Sequence, residues 1–241
     1  MTFSMKKIGA LLHKEIKDLF KNPNVLFMCA LPILFSVMYT KLFGSVGGGM
    51  NSLDILILCV NMNLILISSI VISMLIAEEK EKNTLRTLLL SGLSPLEFLS
   101  GKVLVTFIIS IAINVGMFFI TGMDTQYLPI YILLTTLVVI GMIGIGAIIG
   151  LVSPNQMATG VIGMPILMFM LLIAMFARLS ATMGKIAGIL PNYNMNILLE
   201  RAVYGGTAQG GSIYPIMVIL LWIFLTWGAF IYAYNKIGLD K

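Results

Sequence analysis

The chain is short of charge. Of its 241 residues, 15 are Lys or Arg and 10 are Asp or Glu, so charged side chains make up 10% against 59% hydrophobic. Soluble domains carry about 25% charged residues. A water-soluble fold of this length would leave its surface uncovered, so the composition predicts an integral membrane protein with one membrane domain over residues 1–241. Histidine is nearly absent: His13 has no Cys or His partner nearby, and no metal site is expected. Cysteine is scarce too. Cys29 and Cys59 both lie in apolar runs, at depths that differ by roughly 15–20 Å on the spans assigned below. That is too far for a disulfide, so both read as small apolar fillers. A secretory leader is not expected, because the first apolar run starts after Lys21, exceeds a leader's apolar core and has no small-residue cleavage site behind it. The net charge of +5 does not point to nucleic acid, since the basic residues cluster beside the apolar runs.

What the sequence has in quantity is long apolar runs. A bilayer core of about 30 Å needs about 20 apolar residues in a helix. Six runs qualify: Val25–Phe43, Ile55–Ala77, Val103–Thr121, Tyr127–Val152, Met157–Ala177 and Ile213–Tyr234. The expected fold is therefore an all-α polytopic bundle over 23–241. Eleven Lys and Arg fall on the side of the N-terminal segment, the Glu78–Lys102 connection and the tail, against four (Lys41, Arg178, Lys185, Arg201) on the other. Positive residues stay in the cytoplasm, which places both termini and that connection inside. Residues 1–22 form a separate element. Ile8, Leu11, Leu12, Ile16, Leu19 and Phe20 follow a helical stripe, with Lys7, Lys14, Lys17, Asp18 and Lys21 mostly on other faces. Such a helix lies in the inner interface, either as a passive anchor or docking a partner. Asn22-Pro23-Asn24 then turns the chain into the first span.

The connection between spans two and three, AEEKEKNTLRTLLLSGLSPLEFLSGK, gathers eight charged residues: Glu78, Glu79, Lys80, Glu81, Lys82, Arg86, Glu97 and Lys102. Its first half is rich in helix formers, so the second span is expected to continue into water. Ser91-Gly92 offers a stop, and Ser94-Pro95-Leu96-Glu97 a fresh start with Ser as cap and Pro at the first helical position. Leu85, Leu88, Leu89, Leu90, Leu93, Leu96 and Phe98 give it an apolar side. The loop is either a docking surface or a plain interfacial connector.

The run Glu78-Glu79-Lys80-Glu81-Lys82-Asn83-Thr84-Leu85, followed by Ser94-Pro95-x-Glu97 and Gly101-Lys102, resembles the loop after span two of ABC-2 type permeases, the membrane subunits of ATP-binding-cassette exporters. A second similarity runs from Leu190-Pro191-Asn192-Tyr193 through Asn196 to Tyr204-Gly205-Gly206, similar to that family's short extracellular helices between spans five and six. Asn83 stands where the family usually has Gly, and Arg86 where it often has Glu, so any role of that Glu is not carried over. The resemblance implies a cytoplasmic coupling helix seated on a separate ATPase subunit. ATP and Mg would be held there, with two permease copies (identical or paralogous) and two ATPases per complex. The residues that would carry coupling are Glu78, Glu79, Lys80, Glu81, Thr84, Leu85, Arg86, Leu88, Leu89, Ser94, Pro95, Glu97 and Lys102. The leucines would supply strength, and Glu78, Glu79, Glu81, Arg86 and Glu97 the register. The chain has no phosphate loop of its own: Gly101-Lys102 has Leu96 at the first glycine position and Val103 after the lysine. No catalytic residue is expected.

Polar residues inside spans are candidates for a substrate path. Asn61, Ser68 and Ser69 fall at i, i+7 and i+8, roughly one face, and Asn114 lies in span three; the alternative is hydrogen bonding between helices. Gly141, Gly144, Gly146 and Gly150 read as a close-packing seam, with Gly160, Gly163 and Pro165 adding packing and a kink. The apolar path and 18 methionines favour an amphipathic or lipophilic substrate: a peptide toxin or antimicrobial peptide, a lipid or a drug. The short six-span form is similar to permeases of Gram-positive peptide-toxin and drug exporters, which implies a bacterial cell membrane. Two other classes fit less well. An ion-coupled transporter wants ionisable groups at the midplane or broken helices in matched halves, and neither is evident. Glu78-Glu79 is similar to the paired glutamates of CAAX-type membrane proteases, but Asn83 stands where their Arg belongs and no His follows His13; an intramembrane serine protease lacks its His base too.

Overall fold

The computed structural model describes residues 12, 14–19, 21–43, 50–82, 95–205 and 211–237, the side chains at 95–98 and 237 excepted. Helices α1 (Pro23–Phe43), α2 (Ser52–Ile65), α3 (Ile72–Glu81), α4 (Pro95–Ile120), α5 (Leu128–Val152), α6 (Gln156–Phe176), α7 (Ala181–Ala187), α8 (Pro191–Tyr204) and α9 (Ile213–Ile237) follow in order. A π-helical turn, Leu66–Val71, joins α2 and α3 into one rod. Among the described residues there is no strand, and six helices are long and apolar enough to cross a membrane: α1, the α2–α3 rod, α4, Thr125–Val152, α6 and α9.

Local sequence sets the helix ends. Asn22 Oδ1 accepts from the Asn24 and Val25 amides and starts α1 at Pro23. Asn51 caps α2 by accepting from Asp54 N at 3.0 Å, Asn155 caps α6 through Ala158 N at 2.9 Å, and Ser180 caps α7. Pro191 opens α8 at its first turn, and Gly205 closes it in the left-handed region at φ 62°. The described rod ends at Lys82, whose amide bonds Glu78 O and whose Nζ folds back onto Glu78. The expected Ser91-Gly92 stop lies outside the described residues. Helix α6 continues through Pro165.

Burial ranks the spans. The rod is 78% buried over its most apolar window and Thr125–Val152 61%, against 17% for α1 and 22% for α9. The rod and α5 are therefore the centre, and the other helices present their outer sides to the surroundings. The glycines of α5 form two seams. A methyl on Gly144 would sit 2.6 Å from Thr226 Oγ1 of α9. On the other side, a methyl on Gly146 would overlap the Ser69 carbonyl of the π turn. Only glycine allows both backbones so close. Gly163 meets Ile70 and Ile149, whereas Gly160 has nothing within 4 Å and contributes no packing.

The N-terminal arm is helical at residues 14–19 and docks on the bundle as well as lying beside it. Leu19, at 2% exposure, packs with Val71 and Leu75 of the rod, Val105 of α4 and Val25, with Leu12 partly buried against them. The expected stripe is rotated: Ile16 is 39% exposed, and Glu15 takes the inward position. Positions 12, 15 and 19 share one helix face, so the docked face carries a charge.

Candidate functional site

Glu15 comes in because two lysines meet it. Lys102 Nζ, on α4, lies 2.9 Å from Glu15 Oε2 and 3.2 Å from Glu79 Oε1 at the end of the rod. Lys14 Nζ stands 3.5 Å from Glu15 Oε1 and 3.7 Å from both Glu79 Oε1 and Asp18 Oδ2. The Glu15 and Lys102 side chains are 2% and 3% exposed. A pair this deep adds little net stability, but removing one member strands the other. Burial favours the neutral form of Lys14. The Glu15, Glu79 and Asp18 carboxylates outweigh it and raise the ammonium above the usual lysine pKa.

Glu78, Lys80 and Glu81 at this end also bond neighbouring elements. Lys80 Nζ donates to the carbonyls of Leu151 and Ser153, both at 2.7 Å, and so caps the C-terminus of α5. Glu81 Oε2 accepts from Gln156 N at 3.1 Å, at the positive N-terminus of α6. Asn22 Nδ2 donates to Gln156 Oε1 at 3.1 Å and Glu78 Oε2 at 3.3 Å. Four consecutive residues at the end of one rod, Glu78 to Glu81, thus hold the arm, α4, α5 and α6 together. A cavity of about 540 Å³ opens beside them, bordered by Lys14, Asn22, Glu78, Lys82 and Gln156.

Deeper in, asparagines and serines link the rod to its neighbours. Asn63 Nδ2 donates to Ser110 O and Oγ at 3.0 and 3.1 Å and to Asn114 Oδ1 at 2.6 Å. Ser68 and Ser110 share a hydroxyl bond of 2.7 Å, and Tyr131 OH donates to Asn114 O. Asn61 Nδ2 donates to Asn196 Oδ1, and Asn192 Nδ2 to Asn61 Oδ1, each at 3.0 Å. Ser69 Oγ lies 3.1 Å from Leu64 O and 3.0 Å from Met142 O. The Ser69 hydroxyl thus ties the π turn to the α2 backbone before it and to α5.

The expected path residues Asn61, Ser68, Ser69 and Asn114 are all at most 4% exposed. They do not share a face. Asn61 meets α8, Ser68 meets α4 and Ser69 meets α5, because the π turn shifts the helical phase between positions 61 and 68. Of the expected coupling residues, Glu79 and Lys102 pair inside the fold, and Glu78, Lys80 and Glu81 bond neighbouring helices. Pro95 starts α4, and Glu97 lies in its first turn. Thr84, Leu85, Arg86, Leu88, Leu89 and Ser94 lie outside the described residues. Glu15, Ser110 and Gln156 were not among the expected site residues, and Asn192 and Asn196 stood only within the stretch that resembles the family's short helices. The helical spacings 110/114 and 192/196 were available as signals; nothing local marks Glu15 as the arm's inward charge.

A family model described as "ABC-2 family transporter protein" matches residues 35–233. No curated protein matches the chain. The match takes in most of the chain, from the middle of α1 into α9, including the rod, its charged end and the short helices α7 and α8. An all-helical bundle with six membrane-spanning helices, and this match over most of its length, make the chain a member of the ABC-2 family of transporter membrane domains, a permease that lacks an ATPase site.

Proposed function

We propose that the chain is the permease subunit of an ATP-driven exporter, moving an amphipathic or lipophilic substrate outward with a separate ATPase subunit supplying the work. ABC-2 permeases pair with ATPase subunits. The observation that carries the reading is the stitched end of the rod. A thrust on Glu78–Lys82 is transmitted to the arm, α4, α5 and α6 together, because bonds from this end reach all four. A rod buried through the centre of the bundle then carries that displacement to the far side.

In this reading the coupling residues divide into two groups. Glu78, Glu79, Lys80, Glu81 and Lys102 form the internal joint. Thr84, Leu85, Arg86, Leu88, Leu89, Ser94, Pro95 and Glu97 face the ATPase, with the leucines giving affinity and the charges giving register. The complex holds two permeases and two ATPases, with ATP and Mg on the latter. Both termini lie on the cytoplasmic side of a bacterial cell membrane, as the eleven-to-four distribution of Lys and Arg supports. A peptide toxin or antimicrobial peptide is the favoured substrate. Asn61, Ser68, Ser69 and Asn114 line its path once the helices part. Asn114 Nδ2 and Asn192 Oδ1 are sealed without partners, so a passing polar group has somewhere to bind.

The test is co-purification of the tagged permease with its ATPase. The double variant Leu85→Asp with Leu88→Asp is expected to lose the ATPase and the substrate-stimulated ATP turnover while keeping its own folded yield. Full recovery of both would refute the docking role.

A further inference from the structure

At the end of the bundle away from the charged cluster, a cleft of about 210 Å³ opens between α2, α6 and α8. Its walls are apolar, with Ile57 and Leu58 on one side and Met175 and Ile197 on the other. Polar groups stand at its two ends. Deep in the cleft, Asn196 is 8% exposed; its Oδ1 is taken by Asn61, and among the described residues its Nδ2 has no acceptor. At the rim, Arg178 grips both Glu200 oxygens at 2.6 Å. Asp54, also at the rim, has no cationic partner among the described residues. Two carboxylates against one guanidinium leave the mouth net negative.

We infer that this cleft binds a cationic amphiphile: ammonium at Asp54, apolar body along the walls, an acceptor oxygen on Asn196 Nδ2. An anion would meet the net-negative rim, and a neutral lipophile would bury Asp54 without compensation. The volume is below the roughly 300–1,000 Å³ of drug-sized pockets, so it takes one amine-bearing end of a larger molecule. Asp54 and Asn61 are two turns apart, which sets the amine and the acceptor about 10 Å apart along the cleft. The inference rests on the export reading only for the identity of the natural ligand, cargo or aminophospholipid.

The probe is radiolabelled dodecylamine, bound to the full chain in phosphatidylglycerol nanodiscs without ATPase or nucleotide. Saturable binding is expected, with no competition from dodecanol. Asp54→Asn should weaken it about tenfold or more, the loss of one charged hydrogen bond, while Asp54→Glu retains it. Ile57→Trp, which fills the cleft, should also abolish it, and unchanged melting of each variant shows that folding is intact. Absence of saturable binding, equal competition by dodecanol, or indifference to Asp54→Asn overturns the site. Phosphatidylethanolamine nanodiscs then separate the sources. Suppressed dodecylamine binding there identifies a lipid headgroup, unchanged binding identifies a free amphiphile, and either result upholds amine recognition. Because no ATPase is present, failure here leaves the export reading untouched, and loss of ATPase docking leaves this site untouched.

Discussion

Lys102 is the residue on which the charged end of the rod depends most. It is buried between Glu15 and Glu79, so taking away its charge leaves two carboxylates facing one another with the half-exposed Lys14 beside them. Lys102→Met is expected to cost about 3–5 kcal/mol of stability, the usual penalty for stranding a buried charge. Thermal unfolding of the purified chain in detergent measures it, and a loss under 1 kcal/mol would show that the ring is hydrated and loose. Exchanging the signs, Glu15→Lys with Lys102→Glu, should recover part of that loss, because the pair reforms while Glu79 gains a like-charged neighbour. The arm's other lysine gives a pH prediction. The pKa of Lys14 is raised above the ordinary 10.5, so its contribution is complete below that value and is lost only as the pH climbs through the higher folded value. A fluorophore on the arm should report unchanged docking across the neutral range and release only in strong alkali. Release near neutrality would rule out the Lys14 contacts as the fastening.

Helix contacts make sharper demands than single charges. Where α5 crosses the π turn, Gly146 lies against the Ser69 backbone, which cannot rotate out of the way. Gly146→Ala should therefore lower stability by about 1–3 kcal/mol or abolish folded yield. Gly160→Ala on α6, with open space around it, should be neutral or slightly stabilising through helix propensity. Size-exclusion profiles of the two variants decide the matter: equal behaviour would mean that α5 does not approach the rod so closely. Ser69→Ala is expected to cost about 0.6–2 kcal/mol, the range for an interhelical hydroxyl bond in a membrane. It also removes the hydroxyl that bonds the π turn to Leu64 O and Met142 O, so it should loosen the rod between α2 and α3.

For the molecule as a whole, the decisive property is direction. Eleven basic residues mark one side. In intact cells, Asn83→Cys is expected to resist an impermeant thiol reagent and to label after permeabilisation, against a background in which Cys29 and Cys59 are replaced by Ala. Labelling before permeabilisation would invert the topology and remove the ATPase from this face. The outer surface of α6 is apolar along its length, with Met157 87%, Val161 77% and Phe169 57% exposed. In a membrane such a surface suits apolar surroundings and needs no water-facing chemistry.

The sequence by itself determined the class, the six crossings and most of their ends. These follow from short-range physics: about 20 apolar residues match a bilayer, and Asn22, Asn51, Asn155 and Pro191 set helix starts through bonds or dihedrals a few residues away. The charged run 78–82 was legible as important. Its orientation was not, because whether Glu79 faces a partner or Lys102 depends on where α4 and the arm pack. Tertiary structure alone decided that Glu15 is buried, that the polar residues of the rod divide among α4, α5 and α8, and that α5 needs glycine on two sides. Each of these is a contact between residues far apart in the chain. A helix pattern gives the angle of a side chain about its own axis but not the neighbour it meets, and one π turn is enough to shift even that angle.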